Sequence, residues 1–290
     1  MLFGPVDAMV QVSKPIVSLH RGSFPLNSWP PAAAAIALVL ALLLGACSGK
    51  QNAGAAVESR ELLVSAAISL ADVLRELKGE YEARYPGVTV TYNFGASGTL
   101  QAQIEQGAPV DVFASAGEAQ VNALEQKGLL LSGSRRVFAG NAAVLVVPRN
   151  ARTPIAGFSD LTRPEVTWIS IGNPASVPAG AYAKQILENL GVWARIQGKI
   201  VIAENVRQVL TYVEQGNADA GIVYATDAAS SGGVTVVAKA PEGSSEPIAY
   251  PVAGIAGTRY PEDARAFVEM LAGPEGRTIL ARYSFLPPPP

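Results

Sequence analysis

Two serines carry the strongest chemical signal in this chain of 290 residues. Ser69 lies in the segment Ser65-Ala-Ala-Ile-Ser-Leu70, and Ser97 lies in Phe94-Gly-Ala-Ser-Gly-Thr99. Each serine follows a β-rich run and opens an amphipathic helix, where the first backbone N–H groups have no partner inside the helix. Because these N–H groups lie at the positive end of the helix dipole, each junction is a candidate anion site.

Three further positions could offer donors of the same kind. Ala179, in Val177-Pro-Ala-Gly180, and Val206, behind the expected helix cap Asn205, each open a helix with free amides. Tyr224 ends an apolar strand and carries a phenol. Taken singly, each has a plain structural alternative, since serines and asparagines cap helices and a tyrosine at a strand end can be a core aromatic. The same alternative holds for Ser69 and Ser97.

Composition excludes some classes of protein. The chain has 49% hydrophobic and 16% charged residues and a formal net charge of −2, with no run of lysine and arginine. A nucleic-acid-binding surface would show a basic patch or stripe, so no nucleic-acid partner is expected. The apolar content is sufficient for a sizeable core.

The N-terminal part predicts an export signal. Residues 32–46 form a small and apolar stretch that is too short for a comfortable membrane span but suits a signal-peptide core. Its end, Leu44-Gly-Ala-Cys47, resembles the lipobox of bacterial lipoproteins, in which the cysteine is lipidated and becomes the mature N-terminus. We therefore expect a lipoprotein signal peptide over 1–46, a flexible tether over 47–60, and a periplasmic or cell-surface protein anchored to the membrane through Cys47. The alternative is an uncleaved N-terminal anchor.

Removal of the leader also removes most catalytic chemistry. His20 is the single histidine and Cys47 the single cysteine of the chain. The mature protein would therefore lack Ser–His–Asp and Cys–His catalysis, histidine or cysteine metal sites, and disulfides. A serine-dependent transferase using Ser69 or Ser97 stays as an alternative, although no motif links a lysine base to either serine. We expect a binding protein and not an enzyme.

The order of predicted elements indicates an α/β fold. Strands alternate with helices from Glu61 onward, which favours mainly parallel sheets. The predicted strands are 62–67, 88–94, 110–114, 142–148, 167–171, 199–203, 221–224, 234–238 and 247–255. They exceed a comfortable single sheet, so we expect two lobes, with the ligand outside the carboxyl ends of strands in the cleft between them. We place lobe I at 61–139 and 250–290, and lobe II at 140–249.

Several segments in order resemble one family. They are Ser65-Ala-Ala-Ile-Ser-Leu70, Tyr81-Glu-Ala-Arg-Tyr-Pro-Gly-Val88, Phe94-Gly-Ala-Ser-Gly-Thr-Leu100, Gln103-Ile-Glu-Gln-Gly-Ala-Pro-Val-Asp-Val-Phe113, Gly172-Asn-Pro-Ala-Ser-Val-Pro-Ala-Gly180 and Gly221-Ile-Val-Tyr224. Together they resemble the periplasmic molybdate-binding proteins of ABC transporters, over roughly residues 61–285. The resemblance implies the two-lobed type II periplasmic-binding-protein fold.

The resemblance also implies how the ligand is held. Ser69 and Ser97 would give hydroxyl and backbone donors from lobe I, while Ala179 and Val206 would give backbone N–H groups and Tyr224 its phenol from lobe II. The metal would be bound as the molybdate or tungstate oxyanion, with no direct protein–metal ligand and no cofactor. Ile68 departs from the small residue usual before the serine; it could pack into the core without effect, or narrow the pocket and disturb the selection of anions by size.

The implied partners are those of a transporter. The family delivers molybdate to an inner-membrane permease with a cytoplasmic ATPase, and its members are usually monomers. Within binding proteins, the alternative is another oxyanion such as sulfate.

Overall fold

The computed structural model describes residues 59–290. Cys47, the expected signal peptide and nearly all of the tether lie outside the described residues. The described residues, 59–290, belong to one compact unit. Across residues 59–290, none of the helices has the length and apolar character needed to cross a membrane.

The described chain alternates strands and helices as the sequence predicts. Its strands are β1 Arg60–Ala67, β2 Val88–Gly95, β3 Val112–Ala114, β4 Arg136–Asn141, β5 Ala143–Pro148, β6 Ile169–Gly172, β7 Ile200–Ala203, β8 Ala220–Tyr224, β9 Val234–Lys239 and β10 Ile248–Gly254. Its α-helices are α1 Ala71–Arg84, α2 Ser97–Glu105, α3 Glu118–Gln126, α4 Pro178–Asn189, α5 Trp193–Ile196, α6 Val206–Glu214, α7 Ala225–Ala229, α8 Pro261–Ala272 and α9 Pro274–Arg282. Short 3₁₀ turns cover Ile68–Leu70, Phe158–Thr162 and Gln197–Lys199.

Two five-stranded sheets organise these elements. The first has the order β2-β1-β3-β10-β4, and the second has the order β7-β6-β8-β5-β9. We call the first sheet with its helices lobe I and the second lobe II. The chain passes from lobe I to lobe II between β4 and β5 and returns between β9 and β10. The two-lobed α/β fold expected from the sequence is confirmed, whereas the lobe boundaries at 139/140 and 249/250 stay a prediction.

Both sheets are mixed, which qualifies the expectation of mainly parallel sheets. In lobe I, β1 pairs in parallel with β2 and β3, but β10 is antiparallel to both β3 and β4. In lobe II, β6 pairs in parallel with β7 and β8, while β5 is antiparallel to β8 and β9. Four strands of each sheet thus run in one direction. The reversed strand is in each case the first one entered after the chain crosses between lobes.

Helix α1 shows how the apolar pattern sets the packing. Its residues Val73, Leu74, Leu77 and Tyr81 repeat at helical spacing, and all four are buried. The hydroxyl of Tyr81 donates to the backbone oxygen of Asp263, at 2.8 Å, so the one polar atom on this face is satisfied. This face fixes the helix that begins just after Ser69 against the core of lobe I.

The structure adds elements that the sequence pattern did not reveal. Strand β4, Arg136–Asn141, was missed because arginine, glycine and asparagine interrupt its apolar alternation. The single-turn helices α5 and α7 were also missed, since each is too short to show a helical period. The bounds of the predicted strands differ from the observed ones by two residues at most.

Gly180 allows the start of α4 to lie against the end of β6. A Cβ built on Gly180 would lie 2.0 Å from the backbone oxygen of Gly172, which is far inside van der Waals contact. The backbone of β6 cannot yield without disturbing its pairing with β7 and β8. Glycine at position 180 is therefore a packing requirement of lobe II.

We expect Gly180→Ala to lower the free energy of unfolding by about 1–3 kcal/mol, because the added methyl overpacks the junction of β6 and α4. Gly79→Ala is the matched control, since Gly79 is an exposed residue of α1 with nothing within 4 Å of a built Cβ. That change should raise stability by up to about 1 kcal/mol through helix propensity. Urea denaturation measures both, and equal stability of the two variants would contradict the packing argument.

Candidate oxyanion-binding site

The carboxyl ends of six strands meet at the boundary between the lobes. In lobe I the parallel strands β1, β2 and β3 end at Ala67, Gly95 and Ala114. In lobe II the parallel strands β6, β7 and β8 hold the equivalent positions in the sheet. Each strand is followed by a turn or a helix N-terminus, so backbone N–H groups of both lobes converge on one region.

This region contains a small pocket. Its lining residues are Ala67, Ile68, Ser69, Gly95, Ala96, Ser97, Ala116, Val177, Pro178, Ala179, Asn205, Val206 and Tyr224. All five residues predicted to bind the ligand lie among them, two from lobe I and three from lobe II. None of the lining side chains carries a charge. The structure thus brings the predicted donors together, and their role in binding stays a proposal.

Ser97 presents its hydroxyl to the pocket and does not cap its helix. It is the first residue of α2, and its N-cap residue Ala96 makes no side-chain cap. The Ser97 side chain is fully buried, and its Oγ accepts a hydrogen bond from the N–H of Ala116, at 3.1 Å. Because the oxygen is used as an acceptor, the hydroxyl proton is available to a pocket ligand. The interpretation of Ser97 as a helix cap is wrong.

Ser69 lies at the end of a hydrogen-bond chain that runs through Tyr250 to Asn141. The amide oxygen of Asn141 accepts from the N–H of Ala142, at 2.9 Å, which fixes the orientation of the Asn141 side chain. Its Nδ2 then donates to the Tyr250 hydroxyl at 3.2 Å, and the Tyr250 and Ser69 hydroxyls are 3.3 Å apart. Either hydroxyl of the Tyr250–Ser69 pair can be the donor; when Tyr250 donates, the Ser69 proton is left for the pocket.

The expected capping role of Ser69 is also wrong. Ser69 lies inside the 3₁₀ turn Ile68–Leu70, and α1 starts at Ala71 with no side-chain cap. The turn places the hydroxyl beside Tyr250 of β10, away from the free N–H groups of α1. Ile68, the departure from the family pattern, lines the pocket and packs partly buried against the core.

Tyr224 contributes a buried phenol from the end of β8. It is 1% exposed, and its hydroxyl donates to the backbone oxygen of Ala116 in lobe I, at 3.0 Å. Its ring packs against Tyr250, with the centroids 5.6 Å apart. Burial raises the pKa of Tyr224 well above its ordinary value. The phenol therefore keeps its proton at neutral and mildly alkaline pH, and in this structure that single proton is donated to Ala116 across the lobe boundary.

Ala179 and Val206 offer backbone N–H groups at the starts of α4 and α6. Pro178 occupies the first turn of α4, where it needs no N–H of its own. Asn205 caps α6 by accepting from the N–H of Gln208, at 3.0 Å, which confirms the predicted cap. Since this cap is directed to Gln208, the N–H of Val206 is left to the pocket.

The lobes also touch directly beside the pocket. The N–H of Gly98 in α2 donates to the backbone oxygen of Ser176 in lobe II, at 2.9 Å. A Cβ on Gly98 would lie 2.7 Å from that oxygen and 2.8 Å from the Ser176 Cα. Only a residue without a side chain permits this approach.

Charged groups lie behind the pocket wall. Arg207 of α6 donates from Nε to Asp227, at 2.6 Å, and from Nη2 to Asp72, at 2.8 Å. Burial raises the pKa of Asp227 to about 6, against the opposing effect of Arg207. Burial also opposes the charge of Arg207, but the two carboxylates outweigh it, and the pKa of the guanidinium is raised.

The site lacks the groups that would activate a serine. The partners of Ser69 and Ser97 are the Tyr250 hydroxyl and the Ala116 N–H, neither of which is a general base. Within residues 59–290, no group of three or more histidine, cysteine or acidic residues could hold a metal ion. The arrangement can bind a ligand by neutral donors.

Sequence reasoning missed Asn141 and Tyr250. Asn141 lies in the unrecognised strand β4, and Tyr250 is separated from Ser69 by 181 residues. Their hydrogen bonds are long-range tertiary contacts, which no local spacing reveals. A usable signal was the polar Asn141 before a fully apolar strand, because a buried amide at such a place needs partners.

Comparisons with known proteins agree with this architecture. The family profile of the bacterial extracellular solute-binding proteins matches residues 62–286. A Bacillus subtilis protein, YvgL, provisionally named as an ABC transporter substrate-binding lipoprotein, is 40% identical over 86% of this chain and 95% of its own length. The molybdate-binding protein ModA of Escherichia coli is 36% identical over 85% of this chain and 97% of its own length.

The fold has a matching solved structure. The periplasmic molybdate-binding protein of Azotobacter vinelandii superposes with a TM-score of 0.69 at 28% identity, covering 79% of this chain and 100% of that one. These relatives are binding proteins, which confirms the expectation of a binding protein and not an enzyme.

Proposed function

Because this chain belongs to the family of bacterial extracellular solute-binding proteins, we propose that it captures molybdate outside the cytoplasm and delivers it to an ABC permease. The relatives at 34–36% identity that are named molybdate-binding proteins support this ligand. Tungstate is proposed as a second ligand of the same pocket, because it is nearly equal to molybdate in size and charge.

One observation carries the proposal. Ser69, Ser97, Ala179, Val206 and Tyr224 line a single pocket that has donors from both lobes and no charged side chain. A tetrahedral dianion loses its hydration on burial and needs directed donors in return. Hydroxyl protons and helix N-termini supply them, and the helix dipoles spread partial positive charge around the ligand.

Neutral donors also explain which anions should be refused. A protonated oxyanion would point its O–H at a group that is itself a donor. The two donors would repel each other, and neither would make a hydrogen bond there. Sulfate is smaller than molybdate and would leave donors of a rigid cage unreached, at about 1–3 kcal/mol for each buried unsatisfied group. The same cage should barely separate molybdate from tungstate.

Delivery to a permease requires that the bound anion be released. A pocket without charged side chains favours this release. An arginine in contact with the dianion would form a charge-assisted pair, which slows dissociation. We propose that the lobes close on the anion and open at an inner-membrane permease served by a cytoplasmic ATPase. We further propose that the protein is a monomer held at the membrane by lipid on Cys47. The name of the Bacillus subtilis relative as a lipoprotein supports this anchor.

Titration calorimetry of the purified protein with molybdate, tungstate, sulfate and phosphate tests the function. We expect molybdate and tungstate to bind within about tenfold of each other, and sulfate and phosphate at least about 100-fold more weakly, since two or more donors would go unmet. Sulfate binding as tight as molybdate would replace the ligand by another oxyanion. Absence of binding by all four would remove the proposed function.

Replacement of Tyr224 by phenylalanine tests one donor. We expect Tyr224→Phe to weaken molybdate binding about five- to tenfold, because it removes the phenol proton, which pairs with Ala116 across the lobe boundary and would have to turn to the ligand to act as its donor, while the ring keeps its packing. Tyr92→Phe is the matched control, since the Tyr92 hydroxyl also donates to a backbone oxygen, that of Leu74 at 2.6 Å, but lies outside the pocket. Calorimetry should show unchanged affinity for the control. Equal affinities for both variants would exclude Tyr224 as a donor.

Gly98→Ala tests whether the ligand is held by lobe closure. The added methyl would collide with Ser176 across the lobe boundary, so we expect normal unfolding but at least about tenfold weaker molybdate binding. Small-angle X-ray scattering with saturating molybdate should give a larger radius of gyration than for the unsubstituted protein. Gly79→Ala should behave as the unsubstituted protein does. Unchanged affinity for Gly98→Ala would show that this approach is not needed for binding.

A further inference from the structure

Three charged residues form a cluster that spans the lobe boundary directly behind the pocket. Arg207 lies in lobe II and reaches Asp227 of its own lobe and Asp72 of lobe I, at 2.6 and 2.8 Å. We call these three residues the ionic brace. Arg207 and Asp72 do not line the anion pocket; together with Ser69 and Thr226 they line a separate cavity on its far side.

Each member of the brace belongs to a turn that carries a proposed donor. Asp72 is three residues after Ser69, Arg207 directly follows Val206, and Asp227 is three residues after Tyr224. Helix α6 also packs against the 3₁₀ turn that contains Ser69. The brace therefore links the backbone of three donor segments, two of lobe II and one of lobe I.

The burial of the three side chains differs in a way that defines their roles. The Asp227 side chain is fully buried, whereas those of Arg207 and Asp72 are 28% and 35% exposed. Asp227 and Arg207 share lobe II, so their pair does not depend on lobe closure. Asp72 lies across the boundary and has a second partner, Arg75, on its own helix at 3.0 Å. Asp227 thus holds the Arg207 guanidinium in place within lobe II, and Asp72 of lobe I forms an ion pair with it when the lobes are in contact.

We propose that Arg207 is a positioning residue that locks the closed lobes around the bound oxyanion through Asp72, and so sets how slowly the anion dissociates. The inference rests on the proposed function, since it concerns the lifetime of the molybdate complex. An interaction made only between closed lobes stabilises that state and lowers the dissociation rate. It leaves the five neutral donors, and hence the choice of anion, unchanged.

A purely electrostatic role of the cluster predicts the opposite sign. Two carboxylates and one guanidinium sum to one negative charge, which repels a dianion. If charge alone mattered, neutralising Asp72 would tighten molybdate binding. If the brace acts through closure of the lobes, neutralising Asp72 weakens molybdate binding.

Glu76 provides a matched control on the same helix. It lies one turn after Asp72 in α1, its side chain is 34% exposed against 35% for Asp72, and it also pairs with an arginine. Its partner, Arg282, belongs to lobe I. Glu76→Gln therefore removes the same charge at the same exposure with no contact across the boundary.

The test compares Asp72→Asn with Glu76→Gln in the full-length protein. Dissociation is measured by chasing bound radiolabelled molybdate with unlabelled molybdate, and affinity by calorimetry. We expect Asp72→Asn to dissociate about three- to tenfold faster, the effect of a partly exposed ion pair, with an unchanged association rate. Glu76→Gln should stay within about twofold of the unsubstituted protein in both rates.

Salt and a second variant separate locking from a general structural role. The dissociation rate of the unsubstituted protein should rise between 0.05 and 0.5 M sodium chloride, because salt screens the partly exposed pair, while that of Asp72→Asn should not. Arg207→Lys keeps the charge but loses the fork that spans both carboxylates, and should match Asp72→Asn. This variant decides the question if Asp72→Asn fails to fold.

The outcomes are distinct. If the unsubstituted protein binds molybdate and both Asp72→Asn and Arg207→Lys dissociate as slowly as Glu76→Gln, the brace is overturned and the proposed function stands. Tighter binding by Asp72→Asn also overturns the brace, in favour of electrostatic repulsion. If the unsubstituted protein does not bind molybdate, the proposed function fails and the inference falls with it.

Discussion

The rest of the structure depends on the unpaired N–H groups at the starts of helices. Each such group must find a partner, and a helix that begins at the carboxyl end of a buried strand has little water to supply one. Here α2, α4 and α6 begin at one place, where their first residues line a pocket with no charged side chain. The donors are fixed by the backbone of long elements, so their geometry is set before any ligand arrives. In the proposed function, that preorganisation would allow a charge-free pocket to hold an anion.

The strand order explains why two lobes supply these donors. Three parallel strands in each sheet end at the boundary, and the chain crosses between sheets by entering each new one through a reversed strand. Asn141 lies at the first crossing and donates to Thr226 of lobe II and Tyr250 of lobe I, at 2.9 and 3.2 Å. The orientation of the Ser69 hydroxyl is therefore coupled, through Tyr250, to the point about which the lobes are joined.

Local sequence was sufficient for the elements and for the residues of the pocket. Strand patterns indicated nearly all of the strands, and family resemblance named five residues that the structure brings to one pocket. It was not sufficient for strand direction, because the reversed strands β5 and β10 have the same apolar pattern as parallel ones. It also left the capping alternative open for the two serines, since a capping residue and a ligand donor are the same residue type in the same turn. Tyr250 and Ala116, which decide between the two roles, are distant in the chain.

The placement of charge separates recognition from closure. The donors that touch the pocket are neutral, and the ionic groups Asp72, Arg207 and Asp227 lie behind them on the same turns. In the proposed site, neutral donors would distinguish anions by size and protonation, because an unsatisfied donor, or a donor that faces an O–H of the anion, costs free energy. The ionic groups act on the equilibrium between open and closed lobes, which is common to every anion that fits. A change in Asp72 should therefore shift the affinities for molybdate and tungstate by one factor and leave their ratio unaltered, whereas a change in Tyr224 acts on contacts that differ between anions. Evolution of such a chain can tune retention and selectivity through different residues.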